Sequence, residues 1–326
     1  MNDPFRANRR PVFGHPASNW GSPERTNTRV MRTPSEIDLS QSRLGTVVFG
    51  ATRAPHGPTP RGAFEGGVHG LIRSVSREER RPGLFVFATT TDGRLAGRLW
   101  LAATEAVRAG TVGRHELVDL PVSPDAALSL RHFLFIVRQI DGLVRFTALD
   151  LETPAGLHTR HGQQSSVQAQ RPVLIRAAGL CFWCVPSGPG VHVPEDGVTA
   201  WALLNDVPPP SGPSLFDRIV RRAPSPRGVL TLVLDGRAQA LRVDSEMVAQ
   251  GLLLGRHERC DVVVPDNFAS RVHATIVEID DLLHVIDTGS SNGTWTTLGE
   301  RVRCRPLRDG EVLLIGTARV EWREAH

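Results

Sequence analysis

The sequence predicts an all-β protein: two tandem β-sandwiches joined by a Pro-rich linker, behind a largely disordered N-terminal tail. Three observations carry this. Short apolar runs between turn residues fill two stretches that contain few helix-length periodic segments; examples are Leu84-Phe85-Val86-Phe87, Phe133-Leu134-Phe135-Ile136-Val137, Leu230-Thr231-Leu232-Val233-Leu234 and Val312-Leu313-Leu314-Ile315. The stretches around them are rich in Pro, Gly, Ser and Arg. The two apolar stretches also resemble each other in sequence.

In chain order, residues 1–83 hold only short apolar runs such as Thr46-Val47-Val48-Phe49, too little burial to offset the entropy of ordering them, and are expected to form a disordered tail. Residues 84–186 form the first sandwich. Residues 187–227 contain Pro208-Pro209-Pro210 and Ala223-Pro224-Ser225-Pro226 and are expected to be an extended linker, whose middle, Val198 to Leu204, is apolar enough to dock on a neighbour. Residues 228–326 form the second sandwich.

Composition narrows the function classes. The 326 residues, 40% of them hydrophobic, suffice for two domains with separate cores. No stretch of 18 apolar residues occurs and Met1-Asn2-Asp3-Pro4-Phe5-Arg6 lacks the apolar run of a secretory signal, so the expected location is cytoplasmic, without membrane insertion. All 38 basic residues are arginine, the coding bias of a GC-rich bacterial genome. The excess positive charge lies in residues 1–83, while residues 227–326 are net negative, so neither candidate domain has the basic face of a nucleic-acid binder.

Four irregularly spaced cysteines, Cys181, Cys184, Cys260 and Cys304, make no disulfide framework. Cys181-Phe182-Trp183-Cys184 spells CxxC, but on an apolar strand its sulfurs face opposite ways, which favours buried thiols over a metal site. No nucleophile elbow, metal-ligand cluster or phosphate-cradling glycine loop is present, so neither an enzyme, a metal nor a cofactor is expected.

The repeat is specific. Asp92-Gly93-Arg94 matches Asp235-Gly236-Arg237, Gly113-Arg114-His115-Glu116 matches Gly255-Arg256-His257-Glu258, Asp119 matches Asp261, Ser129 and His132 match Ser270 and His273, and Asp150 and Gly156 match Asp287 and Gly293. The offsets fall from 143 to 142, 141 and 137, as shortening loops between fixed turns would produce.

The matched turns carry chemistry. Arg256, after Gly255, offers a planar fork that satisfies two phosphate oxygens at once. Ser270 can donate a hydroxyl hydrogen to a third. Arg271 can add charge or hold a peptide backbone. Asn292 presents an amide donor and a carbonyl acceptor suited to a peptide main chain, Ser291 can assist it, and Gly293 supplies a positive φ for the turn. Singly, each has an ordinary competitor: a solvated arginine, a loop-capping serine, an Asn-Gly hairpin turn.

With Gly255-Arg256, Cys260-Asp261-Val262, Ser270-Arg271-Val272-His273-Ala274, Val285-Ile286-Asp287, Ser290-Ser291-Asn292-Gly293-Thr294 and Leu307-Arg308-Asp309-Gly310-Glu311 in this order, residues from about Val229 to Arg323 resemble the forkhead-associated (FHA) domain. The resemblance implies an FHA-type β-sandwich that binds phosphothreonine peptides on loops at one end, with His273 as a structural brace. It implies a non-catalytic adaptor in a bacterial Ser/Thr kinase pathway, whose partner is a phosphothreonine-containing protein or the kinase itself. The tail offers a partner in cis: Thr33 sits among arginines, with Glu36 three residues on, although a solvated tail explains the same residues.

The first repeat is a degenerate copy of the same pattern. In Ser129-Leu130-Arg131-His132 the arginine has slipped one place, which on an extended chain turns it to the opposite face, and Ala155 stands where Asn292 precedes Gly293. Arg114, Ser129 and Arg131 could still clamp a phosphate; the alternative is phosphate-independent docking or a scaffold in which the repeats pack on each other.

Overall fold

The computed structural model describes residues 59–122, 127–205 and 224–325. Within them each apolar stretch folds into eleven strands. The first set is β1 (Gly83–Thr90), β2 (Leu95–Ala102), β3 (Arg108–Gly113), β4 (Leu120–Pro121), β5 (Phe133–Ile140), β6 (Leu143–Asp150), β7 (Leu157–Thr159), β8 (Gly162–Gln164), β9 (Ser166–Ala169), β10 (Val173–Ala177) and β11 (Leu180–Ser187). The second is β12 (Pro226–Leu234), β13 (Arg237–Asp244), β14 (Leu252–Gly255), β15 (Val262–Val263), β16 (Ala274–Ile279), β17 (Leu282–Asp287), β18 (Thr294–Thr296), β19 (Arg301–Val302), β20 (Cys304–Pro306), β21 (Val312–Ile315) and β22 (Ala318–Glu324).

The sheets of the first repeat run β2-β1-β11-β10-β7-β8 and β4-β3-β5-β6-β9; those of the second run β13-β12-β22-β21-β18-β19 and β15-β14-β16-β17-β20. Adding eleven to each strand number converts one topology into the other. The sequence repeat is therefore a repeat of fold, and each copy closes its two sheets over its own core, around Phe133, Phe135, Phe146 and Phe182 in the first and Leu254, Ile276, Leu313 and Trp322 in the second.

The outer faces differ. On β12 and β22 the core residues Leu230, Leu232, Val320 and Trp322 alternate with partly or fully exposed Thr231, Arg319, Glu321 and Arg323, the pattern of a sheet with one solvated face. On β1 and β11 the alternate positions are Phe85, Phe87, Cys181 and Trp183, all buried beneath helices. Those helices are α1 (Pro60–Ala63), which runs through a π-helical turn (Phe64–Val68) into α2 (His69–Glu78), and α3 (Gly197–Asn205). Thr59 caps the first of them, its Oγ1 accepting the Gly62 N–H at 3.1 Å, with Pro60 at the position where no N–H is missed. Phe64, Val68, Ile72 and Val75 make one buried stripe, Phe64 stacks on Trp183 at 5.7 Å between ring centroids, and Ala200 and Leu204 complete the cover.

Two expected boundaries are thereby corrected. Residues 60–78 of the segment 1–83 are helical, because their apolar stripe has a sheet face to cover, and the segment 187–227 contains α3 in place of continuous extended chain. Thr33 and the rest of residues 1–58 lie outside the described residues, as do 206–223.

Cys184 points into the sandwich core and Cys181 to the helix-covered face. Burial pushes the Cys181 thiol up to about 11 and the Cys184 thiol well above its ordinary value, so both are neutral packing groups.

The repeats pack on each other through their five-stranded sheets. Leu134, Ile136, Leu149 and Leu151 of the first meet Leu253, Cys260, Val277 and Ile286 of the second in one buried cluster. Ion pairs flank it: Arg138 with Asp280, and Arg303 with Asp119 at 3.3 Å. Phe133 to Val137 is a continuous apolar run because its odd-numbered residues face the core and Leu134 and Ile136 face the sister repeat.

Candidate functional site

Three loops meet at one end of the second sandwich. Gly255 ends β14 so close to the loop before β16 that a Cβ there would lie 2.2 Å from the Arg271 carbonyl oxygen. Close approach, not an unusual backbone angle, demands the glycine. It lets the Arg256 N–H donate to the Ser270 carbonyl at 2.9 Å and the His257 N–H to that of Arg271 at 3.0 Å, which fixes the two loops side by side.

Arg256 is exposed, its Nε donating to the Ala269 carbonyl at 3.3 Å, and it forms no ion pair among the described residues. Ser270 Oγ accepts the Ser291 N–H at 3.1 Å, which leaves the hydroxyl hydrogen available to donate outward. Arg256, Ser270, Ser291 and Asn292 are thus brought to one open surface.

His273 braces this surface from below. It is fully buried; Nδ1 accepts the Ser270 N–H at 3.0 Å, so the proton resides on Nε2, which donates to the Gly293 carbonyl at 3.2 Å. Burial pushes its pKa below the ordinary histidine value, against the opposing pull of Asp287, 3.8 Å away. Asp287 in turn accepts from the Ser290 N–H at 2.7 Å, the Ser290 hydroxyl at 2.6 Å and the Thr294 hydroxyl at 2.8 Å. Gly293 takes φ +80°, and its N–H donates to Ser290 Oγ at 3.0 Å.

Asn292 departs from expectation. Its Nδ2 already donates to the Phe268 carbonyl at 2.8 Å, and its own backbone carbonyl accepts from Trp295 Nε1 at 2.8 Å. One amide hydrogen is committed to bracing the loop; the side-chain oxygen and the second hydrogen have no hydrogen-bond partner among the described residues, and the residue is exposed. Phe268 and Trp295, 59% and 37% exposed, flank this amide and provide apolar surface that the motif reading passed over. Their signal in the sequence is an aromatic in the loop after β15 and another at the exposed position of β18, two places where a polar residue would be ordinary.

The first repeat keeps the core of this frame, although Pro154, in the place of Ser291, has no N–H to donate to Ser129. Gly113 would bring a Cβ to 2.2 Å from the Leu130 carbonyl oxygen, the Arg114 N–H donates to the Ser129 carbonyl at 3.1 Å, His132 Nδ1 accepts the Ser129 N–H at 3.1 Å, and His132 Nε2 lies 3.1 Å from the Gly156 carbonyl. Thr153, in place of Ser290, donates its hydroxyl to Asp150 at 2.7 Å.

Arg131 is not part of a phosphate clamp. It is 6% exposed, and its Nε donates to the Thr288 carbonyl at 2.9 Å while its terminal nitrogen donates to the Gly289 carbonyl, both on the second repeat. The one-place slip, which turns the side chain to the opposite face, turns it onto the neighbouring domain. Arg271 lies on the wall of a cleft between the repeats, with Arg114 and Ser129 on the facing wall.

Residues 252–316 match the FHA domain family model. An ABC transporter ATP-binding/permease protein of Mycobacterium tuberculosis, Rv1747, is 33% identical over 142 residues, which are 40% of this chain and 16% of that protein's length. Among solved structures, the FHA domain of the CT664 protein from Chlamydia trachomatis matches at 22% identity over 31% of this chain and 99% of its own, with a TM-score of 0.28. Mycobacterium tuberculosis EmbR in complex with a low-affinity phosphopeptide matches at 27% identity over 30% of this chain and 25% of its own, with a TM-score of 0.25. Family model, loop geometry and strand-for-strand duplication agree: residues 252–316 are an FHA domain, preceded by a second, degenerate copy of the same fold.

Proposed function

We propose that the chain is a non-catalytic adaptor that binds phosphothreonine peptides through its C-terminal FHA domain in a bacterial Ser/Thr kinase pathway, its partner being a kinase or a kinase substrate. The observation that carries the reading is an exposed Arg256 without an ion-pair partner among the described residues, beside a Ser270 hydroxyl that accepts the Ser291 N–H and keeps its own hydrogen to donate. A phosphate dianion offers these donors what they lack. Asn292 Oδ1 and its second N–H can pair with a peptide main chain, while Phe268 and Trp295 offer apolar contact to residues flanking the phosphothreonine.

A second reading applies to the first repeat. Its slipped Arg131 and its buried sheet face favour a scaffold whose hold on the second repeat needs no phosphate, a contact that does not involve Arg114 or Ser129. The two roles coexist in one chain.

The test is to screen the full chain against degenerate peptide pools carrying phosphothreonine, phosphoserine or unmodified threonine. Retention of the phosphothreonine pool alone, lost on phosphatase treatment, is expected; equal retention of the unmodified pool would refute the proposal. In the same format, after the chain is treated with a Ser/Thr kinase, a phosphorylated Thr33 should compete with added phosphopeptide, and Thr33→Ala should relieve that competition.

A further inference from the structure

The repeats meet asymmetrically, and the gap this leaves has the lining of a second binding site. On one side Arg131 reaches the Thr288 and Gly289 carbonyls, and Gly289 lies so near the first repeat that an added Cβ would sit 3.1 Å from the Leu117 carbonyl oxygen. By the offsets of the repeat, the counterparts of Arg131, Gly289 and Leu117 are Val272, Glu152 and Arg259. Val272 is too short to span the gap, and Glu152, in the left-handed region at φ 53°, carries a side chain where the other side has none. A cleft of about 360 Å³ remains.

Its polar lining comes from both repeats: Arg114 and Ser129 from the first, Arg259 and Arg271 from the second, with Glu152 and Glu258 among them. Arg114 and Ser129 hold the places of Arg256 and Ser270 on an equivalent backbone frame. What the first repeat lost locally, with Leu130 in place of Arg271, its neighbour restores from across the gap. Arg114 and Arg271 are exposed and neither forms an ion pair among the described residues. Two unpaired guanidinium groups and a hydroxyl suit a phosphomonoester dianion.

We propose that this cleft is a second, composite site for a phosphorylated peptide, with Arg114 and Ser129 clamping the phosphate and Arg271 closing over it from the second repeat. The ligand class rests on the reading of the Arg256 site; the location does not. A peptide fits better than a nucleotide, because apart from Arg131, Thr153, His257 and Cys260 the rest of the lining is aliphatic, and it holds no Phe or Trp on which a base could stack. Desolvation, with Asp261 and Asp150 nearby, raises the Glu152 pKa against the opposing effect of Arg259. Cys260 also lines the cleft, but burial pushes its thiol up to about 11, so it contributes packing and not reactivity.

The test is calorimetric titration of the full chain with a phosphothreonine peptide pool, on wild type, Arg256→Ala, Arg114→Ala and Arg271→Ala, and on Arg256→Ala combined with each of the last two. All three arginines are exposed, so matched thermal midpoints should confirm intact folding. Two binding events are expected in wild type. One should survive Arg256→Ala and weaken at least tenfold when Arg114→Ala or Arg271→Ala is added. If Arg256→Ala alone abolishes all binding, the composite site is wrong and the C-terminal reading stands. If Arg256→Ala changes neither the number nor the affinity of the binding events while Arg114→Ala alone abolishes all binding, the C-terminal reading is wrong and the composite site stands. Competition by inorganic phosphate as effective as peptide would overturn the assignment of a peptide ligand.

Discussion

Arg131→Ala is the sharpest perturbation of the contact between the repeats. The wild-type guanidinium donates to two carbonyls on the second repeat, that of Thr288 at 2.9 Å and that of Gly289, while Thr288 itself is fully buried. Hydrogen bonds from a charged donor contribute about 1.5–3 kcal/mol each, and removing the donor leaves a buried carbonyl unpaired at about 1–3 kcal/mol. Against this stands the cost of burying the guanidinium, which also lowers its pKa. A net loss of about 2–4 kcal/mol in the coupling between the repeats follows. The effect should reach the binding surface, because Thr288 and Gly289 lead directly into Ser290, Ser291 and Asn292; a loop competent only a tenth to a half of the time binds about two- to tenfold more weakly. Urea unfolding followed by tryptophan fluorescence should show the second repeat melting earlier, and phosphopeptide affinity should fall without loss of the site. Arg131→Lys, with one donor head in place of the fork, should recover only part of both effects. A change below about 0.5 kcal/mol in unfolding, with unaltered affinity, would refute the staple.

Three further outcomes follow from the geometry. Phe64→Ala removes the ring stacked on Trp183 and should cost about 3–5 kcal/mol, read as a fall in the urea midpoint of the first repeat; a midpoint within error of wild type would show that the helices do not hold that face. Gly293→Ala places a Cβ at φ +80° within 3.0 Å of Arg301 Nε and 3.1 Å of Trp295 Nε1, and should cost about 1–2 kcal/mol while weakening phosphopeptide binding through Asn292, whereas an unchanged affinity would mean that the turn does not set the asparagine. His132 and His273 are buried and neutral, with pKa values pushed below the ordinary ~6.5. Below that pH the unfolded chain takes up protons the folded chain refuses, so stability is full above pH ~6.5 and falls as the pH drops; going from pH 7.5 to 6.0 should lose about 1 kcal/mol for the pair, and a gain in urea midpoint over that interval would contradict the assignment.

Much of the fold could be read from the residues because alternation and turn chemistry are local. The tandem repeat, the paired Gly-Arg turns and the opposite facing of Cys181 and Cys184 needed no knowledge of distant packing. The helices at 60–78 were hidden by composition: arginines and glycines dominate the segment, while Phe64, Val68, Ile72 and Val75, spaced at helical intervals, are its one apolar stripe. The clue lay elsewhere, in Leu180 to Val185, an unbroken apolar strand that had to be covered on both faces. The slip at Arg131 could be read as a change of face, but not as a bond to Thr288, because the surface opposite belongs to residues more than 150 positions away. The sequence offers both amide groups of Asn292 to a ligand, because the nearness of Phe268 arises only once three loops converge.

The most direct measurement is the affinity of the full chain for the phosphothreonine peptide that the pool screen selects, compared with the same chain carrying Arg256→Ala and Ser270→Ala. Loss of the guanidinium fork and the hydroxyl should weaken the Arg256 site by at least about a hundredfold, at about 1.5 kcal/mol or more for each charge-assisted contact, while the unphosphorylated peptide binds neither protein. Undiminished, phosphate-dependent binding by the double variant at every site would contradict the claim that this FHA domain holds its ligand through Arg256 and Ser270.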